Sequence, residues 1–197
     1  MKIEIAQIEE KLEYKIKRNF NTIGFDTATT TGICILRTDD KYLVIEPLVV
    51  SFKTEDKKER YVSAVKMFEK LLEDDMYVIV EDVFNKMNVY VTIYLARLGG
   101  FAISAAIRQN LDFETILAKS ARSKFKIDTM KYGKGKSKLA VADWIKDLGV
   151  DIKDDNIADA FVLSLLGMCE GMDFRSQKEI KGIKKKRRPR KLKCKKV

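Results

Sequence analysis

The sequence predicts an α/β protein, a mixed five-stranded sheet with helices on both faces, and three observations point to it. β-rich runs come first and then alternate with segments of helical periodicity. The run "YVIV" (77–80) has no polar alternation, the mark of a strand covered on both faces. And 197 residues at 46% hydrophobic content are enough for one domain with a real core.

The elements follow in order. Ile5, Ile8, Leu12 and Ile16 recur at spacings of three and four, as on one face of an amphipathic docking or dimer helix, with an N-terminal strand as the alternative. "TIGFD", "GICILRT" and "KYLVIEPLVVSF" form a meander, turning at Asp39-Asp40. Residues 56–74 place Val62, Val65, Phe68, Leu71 and Leu72 at helical spacing, and "MYVIVEDVF" returns to strand. Residues 88–110 read as a helix whose Gly99-Gly100 pair implies close packing or a kink. "FETILAKS" reads as a strand and "RSKFKIDTMKYGKGKSK" as a basic glycine-containing loop. "KLAVADWIKDLG" is a helix stopped by Gly149, and "DNIADAFVLSLLGMCEG" is the last helix. This divides the chain into an N-terminal extension (1–20), one folded domain (21–174) and a tail (175–197).

The net charge is +10, and its placement says more than its size. The tail holds 13 Lys or Arg against Glu179 alone, while residues 1–174 carry 26 basic and 28 acidic side chains. A near-neutral body with a polybasic tail points to a disordered nucleic-acid-binding arm, a targeting or solubilising tail being the bland alternative. No apolar run approaches the roughly 20 residues of a bilayer span, and the first 20 residues are too charged for a secretory signal, so the expectation is a soluble, intracellular protein without membrane contact. Cys34, Cys169 and Cys194 show no CxxC spacing and read as ordinary thiols. There is no histidine, which excludes serine–histidine triads and histidine-based metal sites and leaves carboxylates, lysines and hydroxyls for any chemistry.

Acidic residues at element boundaries are the best candidates. Asp26 ends an apolar strand and Glu81 ends "VIV"; Asp155 and Asp159, one helical turn apart, begin the last helix on one face. Buried carboxylates repel one another unless cations bind, and an oxygen-only donor set suits Mg²⁺ or Mn²⁺. Singly each has a bland role, such as a helix cap for Asp155, a dipole partner for Asp159 or a solvated strand end for Glu81.

"IGFDTATTTGICIL", "VIVEDVFNKMNVYVTIYLARLGGFA" and "DDNIADAFVLSLLG" resemble, in order and spacing, the motifs of RuvC-type Holliday-junction resolvases of the RNase H-like superfamily, with "DDNxAD" closest to phage or viral members. The resemblance spans about residues 22–168. It implies an RNase H-like fold and two Mg²⁺ ions, replaceable by Mn²⁺, held by Asp26, Glu81, Asp155 and Asp159. Cellular members space the last two aspartates by three, which would place Asn156 at the first position; Asp155 one residue earlier is the other choice. A catalytic lysine is implied in the basic loop, at Lys136 or Lys138. Phe84 is implied as an aromatic reaching the junction centre, with a core phenylalanine as the alternative, and Lys86, Lys124, Lys126, Lys134, Lys185, Arg187 and Arg188 as contacts to the DNA.

The implied activity is a Mg²⁺-dependent endonuclease for four-way junctions that leaves 5′-phosphate and 3′-hydroxyl ends. Cutting two equivalent strands implies a homodimer, with Tyr90, Ile93, Tyr94 and Leu98 as a candidate interface. The alternatives are an RNA–DNA hybrid or flap nuclease of the same superfamily and a non-catalytic branched-DNA-binding protein. "GFDTATTTG" also resembles the first phosphate motif of actin-like ATPases and sugar kinases, but the chain is too short for their second lobe.

Overall fold

The computed structural model describes residues 1–52, 56–83, 88–172 and 174. Six strands form one sheet: β1 (Lys2–Glu4), β2 (Asn21–Asp26), β3 (Thr30–Thr38), β4 (Tyr42–Ser51), β5 (Met76–Glu81) and β6 (Phe113–Ile116). Their order is β1-β4-β3-β2-β5-β6. The meander β2–β3–β4 is antiparallel, whereas β5 joins β2 and β6 joins β5 in parallel. The α/β class and the mixed sheet are as the sequence predicts; the strand count is six rather than five. The added strand, β1, is only three residues long and pairs with one end of β4, too short to register against the helical periodicity that follows it.

Helix α1 (Ile5–Lys11) begins directly after β1 and is shorter than the apolar spacing implies. Its buried residues Ile5 and Ile8, with Leu12 and Ile16 beyond it, all lie within the protein's own core. The segment read as strand plus loop also resolves differently. β6 ends at Ile116, and Ala118–Lys124 forms a helix, α4, with Ala121 and Phe125 facing the core.

Two cores flank the sheet. On one face α2 (Lys57–Leu71) and α3 (Val89–Arg108) cover Ile23, Phe25, Ile33 and Val78, with Phe68 edge-on to Phe25. On the other, α1, α4, α5 (Ser137–Asp147) and α6 (Asp155–Met168) cover Cys34, Leu36, Leu43 and Ile79. Each fully buried aliphatic side chain contributes about 1.5–3 kcal/mol, so the alternation along β2 and β3 fixes which residue faces which layer. Helix α6 lies closest to the sheet, because Gly24 and Gly32 let its backbone approach where a side chain would stand. Thr22 and Ser164 hydrogen-bond at 2.7 Å across this contact, so neither hydroxyl is buried without a partner.

Among the described residues α3 alone has the length and apolar composition of a bilayer span, which corrects the expectation that no run approaches 20 residues. Leu98, Gly99, Ala102, Ala105 and Ala106 pack its inner side onto the sheet, while Val89, Tyr90, Val91 and Ile93 remain exposed. Gly99 sits over Val80 and the Glu81 carbonyl, but nothing lies within 4 Å of a Cβ placed on Gly100. Gly100→Ala is therefore expected to stabilise α3 by about 0.5–1 kcal/mol, read as a raised urea midpoint at unchanged slope.

Candidate active site

The chain directions gather the acidic side chains. β2 and β5 run parallel as neighbours with Phe25 opposite Val80, so Asp26 and Glu81, the last residue of each, emerge at the same sheet edge. Ligand sites of α/β sheets form at such carboxyl ends. Asp26 is buried, at 8% exposure, beside the Glu81 side chain. Burial, then hydrogen bonding to Glu81 and the negative charges of Glu81 and Asp159, push its pKa up to about 9; Lys138 pulls the other way.

Helix α6 brings Asp159 to the same place, its N-terminus lying over β3 where the Asn156 carbonyl abuts Gly32. Asp159 is also buried, and Arg122 of α4 closes on it in a fork: Nε donates to Oδ1 at 3.0 Å, and Nη2 donates to Oδ1 and Oδ2 at 2.7 and 2.6 Å. The N-cap of α6 is Asp154, whose carboxylate accepts from the Asn156 and Ile157 amides. That leaves Asp155 uncommitted to capping. It points outward, with its side chain 53% exposed, and pairs with Lys138 at 3.6 Å. Asn156 is half-buried one residue further on.

Among the described residues no three acidic side chains converge tightly enough to grip an ion as they stand. The donor set nevertheless fits hard divalent cations: it offers oxygen ligands only, and Asp26 carries a carboxyl that burial and its negative neighbours keep from ionising. The hydroxyl Oγ1 of Thr27, next to Asp26, is buried without a hydrogen-bond partner on the inner side of Gly99.

The lysines divide. Lys138 reaches Asp155 and bears on Asp26, while Lys136, at the N-cap of α5, and Lys134 are exposed on the segment before that helix. Lys126, in the left-handed region at φ 55°, is ion-paired to Glu13 on the N-terminal segment. Lys124 closes α4, and its carbonyl accepts from Tyr14 Oη at 3.2 Å. Phe84, Lys86, Lys185, Arg187 and Arg188 lie outside the described residues. Arg122 is the residue that sequence reasoning missed. The signal was the spacing of four between Ala121 and Phe125, which marks a buried helical face with Arg122 at its edge.

The sequence matches the family model for Crossover junction endodeoxyribonuclease RuvC over residues 22–166. Comparison with curated proteins finds no match. Among solved structures, the fold is similar to one of T. thermophilus RuvC in complex with Holliday junction substrate, with TM-score 0.59 and 16% identity over 74% of this chain and 91% of that one. A second Thermus thermophilus RuvC structure gives TM-score 0.58 and 16% identity over 76% and 98%. The sequence match covers well over half the chain and takes in every strand-end and helix-start carboxylate described above, and on that ground the chain belongs to the RuvC family.

Proposed function

We propose that this protein is a structure-selective endonuclease that resolves four-way DNA junctions by divalent-metal-dependent hydrolysis, leaving 5′-phosphate and 3′-hydroxyl ends. The observation that carries the reading is the Asp26–Glu81 pair: two carboxyls brought to one sheet edge by neighbouring parallel strands, with the charge of Asp159 bearing on them, within a RuvC-family chain. A fold does not keep such crowding for stability, because it costs free energy that a cation would return.

Asp26, Glu81 and Asp159, with Asp155 at the rim, are the residues that would hold Mg²⁺ or Mn²⁺. Two such ions supply, when bound, an activated water and neutralisation of the leaving oxygen of the phosphodiester. Burial of Asp26 and Asp159 keeps bulk water from solvating these groups, so a cation bound there would be the charge that lets Asp26 ionise. Of the two loop lysines, Lys138 is better placed than Lys136 to bear on the scissile phosphate, since it already reaches Asp155. Lys134 and Lys136 would contact the DNA backbone beside it, and the tail would add sequence-independent, salt-sensitive affinity through its 13 basic side chains. We assign Phe84 and Lys86 to the junction, and residues 21–174 to the nuclease domain, on the family resemblance, with residues 1–20 completing that domain's sheet and core through β1, Ile5, Ile8, Leu12 and Ile16.

Symmetric cutting needs two active sites related by a two-fold axis, hence a homodimer. Val89, Tyr90, Val91 and Ile93, exposed at the start of α3, are the apolar surface for it; Tyr90 is 86% exposed. Leu98 faces the sheet instead and is not available. A soluble intracellular setting, where branched DNA forms, follows from the same reading.

The test is cleavage of a synthetic mobile four-way junction against linear duplex and RNA–DNA hybrid, with Mg²⁺ or with chelator. Paired nicks across the junction that require the metal are expected. Cleavage of hybrid alone would move the protein to another branch of the superfamily, and tight junction binding without cleavage in any metal would make it a binding protein.

A further inference from the structure

Arg122 differs from the loop lysines in being enclosed: its side chain is 13% exposed and that of Asp159 is 9%. A carboxylate offers about four lone-pair positions, and the arginine fork occupies three of them on Asp159. A dication ligated by Asp159 therefore meets a guanidinium on the same carboxylate, two positive charges with little water between them. Asp159 bears on the crowded carboxyl of Asp26, so the two belong to one cluster, and metal loaded into it would change the partner that Arg122 needs.

We propose that Arg122 is a displaceable arginine: it holds Asp159 in the metal-free protein, yields that carboxylate to the divalent cation, and closes on a phosphate of the bound DNA. The inference rests on the reading of Asp159 as a metal ligand. An enclosed guanidinium that loses its carboxylate needs another anion, and a phosphate accepts the same two-pronged hydrogen bonding. The anion is at hand, since α4 leads into the segment bearing Lys134, Lys136 and Lys138, where the DNA backbone would run. The exchange keeps the vacant site from trapping stray cations and couples full metal occupancy to the presence of substrate.

Displacement and simple positioning predict opposite signs for metal affinity. Mn²⁺ is titrated into the full-length protein without DNA, by calorimetry and by electron paramagnetic resonance. Displacement predicts that Arg122→Gln binds Mn²⁺ about tenfold tighter than wild type, the size of one charge-assisted hydrogen bond. With Ca²⁺ replacing Mg²⁺ to keep the strands uncut, the same variant loses about one unit from the slope of log affinity for the junction against log salt. Mn²⁺ binding that is unchanged or weaker in a variant with wild-type circular dichroism overturns the proposal, as does an unchanged salt slope. If Arg122→Gln does not fold, Arg122→Lys, which keeps the charge and loses the fork, carries the Mn²⁺ arm alone with the same expected direction, its salt slope staying as in wild type because a lysine still neutralises the phosphate. Asp159→Asn separates the two layers of inference. If it leaves Mn²⁺ binding intact, Asp159 is not a ligand and the metal reading of this residue fails. If it weakens binding while Arg122→Gln does not strengthen it, Asp159 remains a ligand and the displacement is wrong.

Discussion

Asp26→Asn is expected to abolish metal-dependent cleavage, by at least about 10³-fold, while making the metal-free protein more stable at alkaline pH. The two effects have one cause. Burial and the Glu81 and Asp159 charges raise the Asp26 pKa far above its unfolded value, so the folded state binds a proton that the unfolded chain releases. Stability from this group is complete below about pH 4, declines as pH rises, and is lost once pH passes the folded pKa near 9. Asparagine is neutral throughout, donates to Glu81 in place of the protonated carboxyl, and escapes that loss. Near pH 8 the variant should gain on the order of 2–3 kcal/mol, visible as a higher melting temperature in chelator, and the gain should vanish at pH 4. Mg²⁺ should reverse the order, raising the melting temperature of wild type but not of the variant. A variant that is inactive yet no more stable than wild type at pH 8 would mean that Asp26 is already compensated within the protein.

That result would also bear on what the sequence could and could not convey. The strands β2, β3 and β5 and the helix α6 were legible because each is a local pattern: an apolar run bounded by turn residues or a helical periodicity. Asp26, Glu81 and Asp159 could be singled out as charges at the ends of such runs, but their mutual contact depends on β5 inserting beside β2 in parallel, which no local pattern states. Asp155 illustrates the limit. Both it and Asp154 could cap the helix, and the capping hydrogen bonds of Asp154 to the Asn156 and Ile157 amides decide which one is left facing Lys138. Arg122 carried only the short Ala121–Phe125 signal, for a different reason. Its helix is short, follows a strand without a glycine or proline between them, and lies in a segment whose lysines suggest a loop. Its meaning comes entirely from Asp159, 37 residues away.

Gly32→Ala should be the most damaging of the small substitutions. An added Cβ would stand 2.1 Å from the Asn156 carbonyl oxygen and 2.8 Å from the Ile157 amide nitrogen, and those are backbone atoms that no rotamer change can move. Either the start of α6 lifts off β3 or β3 bends away, and both options break contacts in the core that α6 forms with the sheet. The expected loss is about 3 kcal/mol or more, typical of overpacking against backbone, measured by chemical denaturation. What remains folded should be less active than its folded fraction accounts for. Asp155 and Asp159 flank the displaced contact by one and three residues, so lifting the helix start moves both relative to Asp26 and Glu81 on the fixed strand ends. Gly24→Ala is the control within the same interface: its Cβ would meet the Ala160 carbonyl oxygen at 2.3 Å, further along α6 and past the acidic residues. A similar stability loss with a smaller effect on the activity of the folded fraction would locate the function of Gly32 in placing the helix start. Equal activity losses in the two variants would mean instead that α6 moves as one rigid body and that both glycines serve only its packing.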